Sequence, residues 1–386
     1  MGARIVVIGG GIGGLAAASA LARAGSECVV LERNRALPGA GGGIQISPNG
    51  SAVLHRLGLA APLSGAFRPA ARELRRWRDD RLIGEVPLGE EALSRYGSPY
   101  YTLRRATLCR VLLDGARRHA EVRFGQFCAG VDDRGDRVVV RLGDGSQLVA
   151  DAVIGADGLH SRVRRSLLDD RIRFSGWVVY RAVVPAQRLP RHPDRVIVRL
   201  GPGRHCVSYP LDGGRGINVV AAGPAAKPPE TARDVPAREV LAEFTGWHPA
   251  VHDLLAAAGR FDRHGLFDRA RPAWGHGRVA LLGDAAHPLL PFLAQGASQA
   301  LEDAAALAEG FGGYPGARAA RVAGVAAATL AGARDHHLPD GPDQRTRDGR
   351  LAAAGLPAMD WLYGSEPVSR RSAAVGAAAR PAPPAT

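Results

Sequence analysis

The chain has 386 residues, 46% of them hydrophobic, which is enough for two domains or one large composite domain with a substantial core. Its formal net charge of +13 comes from arginine, because Lys227 is the sole lysine. The basic residues are scattered along the chain, which argues against a nucleic-acid surface. The net positive charge still creates a field that attracts anionic substrates.

The cysteines and the apolar segments indicate the cell compartment. The four cysteines are far apart, with no CxxC pair, which predicts buried free thiols rather than a disulfide, a zinc site or a redox dithiol. No signal-peptide pattern precedes the first strand, and the longest apolar stretch, residues 322–331, is too short to span a bilayer. We expect a soluble, cytoplasmic protein with no membrane partner.

The chain begins with a strand–helix–strand pattern. Residues 4–8 predict a buried strand, residues 12–24 a helix and residues 27–31 a second strand. The elements predicted next are a helix at about 49–57, a helical segment at 101–119, a hairpin of 138–142 with 147–149, and a buried strand at 152–155.

A second sheet is predicted further along the chain. After about residue 172 the pattern changes to strands separated by Pro and Gly turns, at 177–184, 195–200, 205–210 and 216–221. Strands in succession after an α/β opening predict a second, antiparallel sheet domain. A Pro-rich linker at 223–237, helical residues at 238–258, a strand at 278–282 and a helix from about 296 to 309 follow.

The first chemical motif is Gly9-x-Gly11-x-x-Gly14, between the first strand and the first helix. Glycines permit a tight turn and a close approach to a pyrophosphate, which the helix N-terminus binds. Glu32 ends the next strand, 18 residues after Gly14, where an acid hydrogen-bonds a ribose hydroxyl. The pattern predicts a dinucleotide site.

Two further motifs are weaker when considered alone. Gly155-Ala156-Asp157-Gly158 has the form of a strand end followed by an Asp-Gly turn. Gly283-Asp284 is followed by His287, but a metal site is disfavoured because no third ligand is near in the sequence.

In their order and spacing, the three motifs resemble those of the single-component FAD-dependent aromatic hydroxylases. The resemblance covers about residues 3–365 and is strongest to the branch of salicylate hydroxylase, 3-hydroxybenzoate 6-hydroxylase and 6-hydroxynicotinate 3-monooxygenase. Supporting stretches lie at 43–49, 180–182, 291–297, 336–341 and 360–364. The segment 310–334 is shorter than is usual in the family, which puts the C-terminal packing in question.

The resemblance implies an α/β fold. It has a glutathione-reductase-like, Rossmann-type FAD-binding domain with an inserted mixed-sheet substrate domain and a helical C-terminal part. The expected divisions are 1–171 and 271–330 for FAD binding, 172–270 for substrate, 331–372 for the helical segment and 373–386 for a disordered tail.

The resemblance also implies bound FAD, transient NADH or NADPH, and O2 as co-substrate. The activity it implies is hydroxylation of a small phenolic or aminophenolic acid through a C4a-hydroperoxyflavin, with or without loss of the carboxylate, by a monomer or homodimer. The implied cofactor-binding residues are Gly9, Gly11, Gly14, Glu32, Arg33, Arg105, Asp157, Asp284, Gly296 and Ala297. Asp157 would also serve nicotinamide binding, and Asp284 would hold a ribityl or ribose hydroxyl.

Hydroxylation of this kind needs a base that removes the proton of the ring hydroxyl. His205 and Tyr209 share one face of a predicted strand, and in the resembling family a His and a Tyr at this spacing line the substrate pocket. We assign His205 as the base and Tyr209 as its partner or orienter; packed core residues are the alternative. The substrate-binding candidates are Gln45, Arg181, Pro291 and Gln295, with a structural ion pair as the alternative for Arg181.

Other flavoprotein functions remain as alternatives. These are epoxidation or hydroxylation of a larger natural-product intermediate, and flavin binding without catalysis. A flavin-dependent halogenase is disfavoured because its Trp-x-Trp-x-Ile-Pro motif is missing, and a disulfide reductase is disfavoured by the cysteine spacing.

Overall fold

The computed structural model describes residues 2–37, 39, 41–189, 192–229 and 233–364. The strands are β1 Arg4–Ile8, β2 Glu27–Glu32, β3 Gly43–Ile46, β4 Ala71–Arg76, β5 Leu82–Pro87, β6 Tyr101–Arg104, β7 Glu121–Phe124, β8 Cys128–Asp133, β9 Val138–Leu142, β10 Gln147–Ala150, β11 Ala152–Gly155, β12 Ile172–Pro185, β13 Arg195–Gly201, β14 Arg204–Leu211, β15 Gly216–Pro224, β16 Arg233–Pro236, β17 Arg260–Arg269, β18 Gly275–His276 and β19 Val279–Leu281. The helices are α1 Ile12–Arg23, α2 Pro48–Arg56, α3 Glu90–Tyr96, α4 Arg105–Ala116, α5 Arg162–Leu167, α6 Ala237–Glu243, α7 Pro249–Ala258, α8 Gly296–Glu309, α9 Tyr314–His336, α10 Pro342–Ala354 and α11 Asp360–Tyr363.

The first sheet is the predicted dinucleotide-binding unit. Its order is β18-β19-β11-β1-β2-β7, and all neighbours are parallel except β18 and β19. Ile5 and Val7 of β1 pack with the helices, whereas Val6 and Ile8 pack against the smaller β10-β9-β8 sheet. Burial on both faces explains why β1 is a continuous apolar run.

The second sheet has the order β16-β17-β12-β15-β14-β13-β4-β5 and is antiparallel except for β13 with β4. Helices α6 and α7 cover one face. The opposite face, which we call the inner face, carries Tyr209 and Leu211 and packs against the C-terminal helices. The predicted mixed-sheet substrate domain is therefore confirmed as a sheet.

Strands β4 and β5 correct the expected domain boundaries, because they lie within 1–171 but belong to the second sheet. The segment of β4 contains mostly charged residues, which hid its strand character. Glu73 is buried in it and accepts hydrogen bonds from Arg75, at 2.6 Å, and from Arg195 of β13, at 2.7 Å. Strand β4 is paired with β13 and β5, and ion pairs satisfy the charge that it buries.

Three other expectations also need adjustment. The predicted helical stretch 101–119 begins as strand β6, residues 238–258 form two helices, and β17 was not predicted. The short segment 310–334 still holds most of the 23-residue helix α9, and Val325 within it is buried against the inner face. Residues 365–372 of the expected C-terminal segment and the expected disordered tail, 373–386, lie outside the described residues.

A short β3–β6 ribbon packs against both sheets, and its Ile46 and Leu103 lie in the core of the first. The Gly43 amide donates a 2.6 Å hydrogen bond to the Asn218 side chain of β15, and the Thr102 hydroxyl donates to the Pro210 carbonyl. The ribbon places Gln45 between the two sheets, where the predicted site lies. Among the helices in the described ranges, none has the length and apolarity that crossing a membrane requires.

Candidate functional site

The glycine turn after β1 has the geometry that the motif predicts. Gly9 has a φ of +112°, and a Cβ at Gly14 would lie 2.0 Å from the Gly9 carbonyl oxygen. No heavy atom lies within 4 Å of a Cβ built on Gly11, and no side chain caps α1. The free N–H groups of the first turn therefore face open space, as an anion site requires.

Glu32 supports this turn from the end of β2. One carboxylate oxygen accepts a 2.8 Å hydrogen bond from the Gly10 amide, and the other accepts from the amide and side chain of Asn34. Arg33, next to it, is exposed. The ribose contact of Glu32 stays a prediction.

Asp157 follows β11, at the same edge of the first sheet. Its carboxylate accepts hydrogen bonds from the Arg162 amide at 2.7 Å, the Val163 amide at 3.2 Å and the Ser161 hydroxyl at 2.5 Å. It therefore caps α5 and fixes the turn whose Ala156 carbonyl abuts Gly9. Its contacts with cofactor and nicotinamide stay predictions.

Asp284 and Arg105 are near enough to interact electrostatically, although 179 positions separate them in the chain. Burial among protein atoms raises the pKa of the Asp284 carboxyl, while His287 and Arg105 act in the opposite direction. Solvent still reaches the side chain, so this carboxylate is available to a ligand. Gly296 and Ala297 begin α8, which no side chain caps, so its first N–H groups also remain available.

Gln295, predicted to contact substrate, is turned into the interior. It is 2% exposed, donates a 2.8 Å hydrogen bond to the Ser47 hydroxyl, and accepts from Asn49 and Gln299. This placement does not support the predicted substrate contact, because the amide is committed to its neighbours. Pro291 is exposed and begins a short 3-10 turn.

The inner face brings Arg181 and Tyr209 together. Cross-strand register places Arg181 opposite Val220 and Tyr209 opposite Asn218, and residues in register share a face. Burial lowers the pKa of Arg181, the Tyr209 hydroxyl acts in the opposite direction, and Arg105 lowers it further. Arg181 has no carboxylate partner among the described residues, so the predicted alternative of a structural ion pair is not supported.

Gln45 connects two tyrosines at this site. Its side-chain carbonyl accepts a 2.8 Å hydrogen bond from the Tyr100 hydroxyl. Burial raises the pKa of Tyr209, whereas Arg181 and a hydrogen bond from Gln45 lower it. Tyr100 was missed at the sequence level, because nothing in its local pattern distinguishes it from a core tyrosine.

His205 is buried on the inner face, but it does not pair with Tyr209, which corrects the expected arrangement. Its Nδ1 lies 2.8 Å from Nε2 of His337, and its ring also contacts Phe292 and His336. Burial lowers its pKa well below the ordinary histidine value, and the two other histidines lower it further. Sequence reasoning placed His336 and His337 in a family-like stretch without giving either one a role.

Comparisons with known proteins agree with this architecture. An FAD binding domain model matches residues 3–314. The chain is 42% identical to 3-amino-4-hydroxybenzoate 2-monooxygenase PtmB3 of Streptomyces platensis, covering 95% of this chain and 98% of that protein. It is 34% identical to 3-hydroxybenzoate 6-hydroxylase of Polaromonas naphthalenivorans (strain CJ2), covering 93% and 95%. Klebsiella pneumoniae HpxO, solved with FAD and uric acid, superposes with a TM-score of 0.81 at 28% identity, covering 90% and 92%.

Proposed function

Because this chain belongs to the family of FAD-dependent aromatic monooxygenases, we propose that it hydroxylates an aminohydroxybenzoate, with hydroxybenzoates as poorer substrates. The main supporting observation is Arg181, whose half-buried guanidinium has no carboxylate partner among the described residues. The relatives named for 3-amino-4-hydroxybenzoate support the amino and hydroxyl substituents.

The residues around the Gly9–Gly14 turn and Asp284 fit FAD. The Gly9–Gly14 turn with the open start of α1 suits a pyrophosphate, Glu32 suits the adenosine ribose, and Asp284 with Arg105 suits the ribityl–phosphate region. When bound, FAD would supply the redox and oxygen chemistry, for which NAD(P)H provides a hydride and O2 provides one oxygen atom to the ring and one to water. The start of α8 favours negative charge on a reduced flavin, because it presents the positive end of the helix dipole.

Arg181 binds the carboxylate of the substrate in this proposal. A half-buried cation without a partner has lost part of its hydration, and an arriving carboxylate offsets that cost through two charge-assisted hydrogen bonds. The planar guanidinium also fixes the plane of the carboxylate, and with it the plane of the aromatic ring.

His205 accepts the proton of the ring hydroxyl in this proposal, and Tyr209 orients the substrate. Burial keeps His205 neutral and Tyr209 protonated at neutral pH, so the first can accept a proton and the second can donate a hydrogen bond. Removing the proton makes the ring more nucleophilic toward the oxygen that it receives. Gln45 and Tyr100 support Tyr209 from the β3–β6 ribbon.

The experiment is substrate-stimulated NADH or NADPH oxidation with product analysis by mass spectrometry. The panel contains 3-amino-4-hydroxybenzoate, 3-hydroxybenzoate, salicylate and the uncharged 3-amino-4-hydroxybenzamide. We expect 3-amino-4-hydroxybenzoate to give the highest kcat/KM and a product 16 mass units heavier. The kcat/KM of the amide should be much lower than that of the acid. Equal turnover of acid and amide would contradict the role of Arg181, and no stimulation by any acid would contradict the proposal.

The oligomeric state is a separate proposal. We infer a monomer or a homodimer, and light scattering coupled to size exclusion would distinguish them.

A further inference from the structure

The two ring nitrogens of His337 contact different groups. Its Nδ1 lies 2.5 Å from the carbonyl oxygen of Ala333, in the last turn of α9. A carbonyl oxygen only accepts hydrogen bonds, so this nitrogen carries a hydrogen. Burial lowers the pKa of His337 to about 4, so the ring is neutral near pH 7 and its Nε2 carries a lone pair.

This assignment determines the tautomer of His205. The bare Nε2 of His337 lies 2.8 Å from Nδ1 of His205, so Nδ1 must be the donor. In a neutral ring the hydrogen on Nδ1 leaves Nε2 of His205 as an acceptor. That nitrogen makes no hydrogen bond within the described part of the chain and is not sealed off from solvent.

The backbone holds His337 beside β14 as well. The Gly203 amide, in the turn between β13 and β14, donates a 3.0 Å hydrogen bond to the His337 carbonyl. The Trp177 ring stacks on His337 at 4.0 Å between centroids, with an interplanar angle of 24°. The position of the ring is therefore fixed by main chain, side chain and stacking together.

We propose that His337 is a positioning residue, which holds His205 in the tautomer whose Nε2 is free to take the hydroxyl proton of the substrate. The inference rests on the proposed function only in identifying the substrate hydroxyl as the source of the proton that His205 accepts. No carboxylate forms an ion pair with either ring among the described residues. The positive charge that follows proton uptake on His205 therefore faces His337, whose Nε2 accepts the Nδ1–H hydrogen bond.

His336 is a matched neighbour that lacks this connection. It is half-buried, as His337 is, and its ring lies 5.3 Å from that of His205, but its Nδ1 has no hydrogen-bond partner within the described ranges. Within those ranges, no group of three or more His, Cys, Asp or Glu side chains is arranged to hold a metal ion.

The test compares His337→Phe, which removes the acceptor, with His337→Gln, which offers a side-chain oxygen in its place, and with His336→Phe as control. The first readout is the tautomer of His205, from long-range 1H–15N spectra of the FAD-loaded protein with labelled histidine. We expect the Nδ1–H form in the wild type, in His336→Phe and in His337→Gln. In His337→Phe we expect that preference to be lost.

The second readout is the fraction of bound 3-amino-4-hydroxybenzoate that is ionised at its hydroxyl, from ultraviolet difference spectra without NAD(P)H. We expect His337→Phe to lower this fraction and to reduce kcat on the order of 100-fold with KM little changed. We expect His337→Gln to restore most of both. Thermal melting and FAD content confirm that the variants are folded.

An Nε2–H tautomer in the wild type would overturn the inference, as would a His337→Phe variant with an unchanged tautomer. These results do not depend on turnover. Failure of every acid to be hydroxylated would therefore remove the proposed function, while the tautomer measurement would still decide the role of His337.

Discussion

The guanidinium of Arg181 lies close enough to the Tyr209 hydroxyl for each group to shift the pKa of the other, and both lie on the inner face of the second sheet. The two side chains come from different strands, β12 and β14, with β15 between them. This pair, a cation beside a hydrogen-bond donor, is suited to bind an anion. Four predictions follow from the structure.

Arg181→Gln should raise KM for an aminohydroxybenzoate on the order of 100-fold with a smaller effect on kcat, because a buried carboxylate loses its charged partner. Steady-state kinetics on acid and amide substrates measure this effect, and the KM for the amide should change little. Arg173→Gln is the control, since this arginine lies on the same strand but pairs with Asp268 at the surface. Equal losses in both variants would contradict the prediction.

Gly11→Ala and Gly14→Ala should separate cofactor binding from folding. At Gly11 the added methyl meets no protein atom within 4 Å, so we expect an unchanged Tm without FAD but weaker FAD binding. At Gly14 it meets the Gly9 carbonyl oxygen, so we expect loss of stability as well. FAD titration and thermal melting measure the two effects, with the exposed helical Gly349→Ala as control. Unchanged FAD affinity in Gly11→Ala would refute this assignment.

Asp303 should contribute acid-sensitive stability beneath the Gly283-Asp284 turn. Burial raises the pKa of Asp303, but His287, Arg318 and hydrogen bonds lower it to about 2, below the unfolded value of about 3.9. A lowered folded pKa gives stability that is fully present above about pH 4 and is lost as pH falls toward 2. Asp303→Asn should therefore lower Tm strongly at pH 7 and progressively less below pH 4.

The same pH series on Asp114→Asn provides the control, because this aspartate is exposed on α4. A difference in Tm between wild type and Asp303→Asn that stays constant from pH 7 to pH 3 would contradict the assignment.

The four cysteines should be unreactive in the folded protein. All are buried and free, as the sequence predicted, and burial raises the pKa of the Cys28, Cys128 and Cys206 thiols to about 11. A thiol-specific disulfide reagent at pH 8 should therefore react slowly, and it should titrate all four thiols in guanidinium chloride. Rapid reaction of any thiol in the native protein would be inconsistent with this burial.

The sequence was sufficient for the cofactor site because that site is built from local rules. The motif combines a glycine at φ of +112°, a helix that starts shortly after it and an acid at the end of the next strand. Because few residues separate these features, their spacing in the sequence predicts their arrangement. Burial on both faces likewise made β1 recognisable as a central strand. Strand β4 was missed because its buried Glu73 satisfies its charge through Arg195, far along the chain.

The contacts of the proposed substrate-binding residues were decided only by the tertiary structure. Sequence reasoning placed His205 and Tyr209 on one face, since strand periodicity is local, but it paired them with each other. The structure pairs His205 with His337, 132 residues away, and turns Gln295 into the interior. Whether Arg181 was a structural ion pair or an anion site depended on which carboxylates packing would bring near it, and such non-local contacts leave no periodic trace in a sequence.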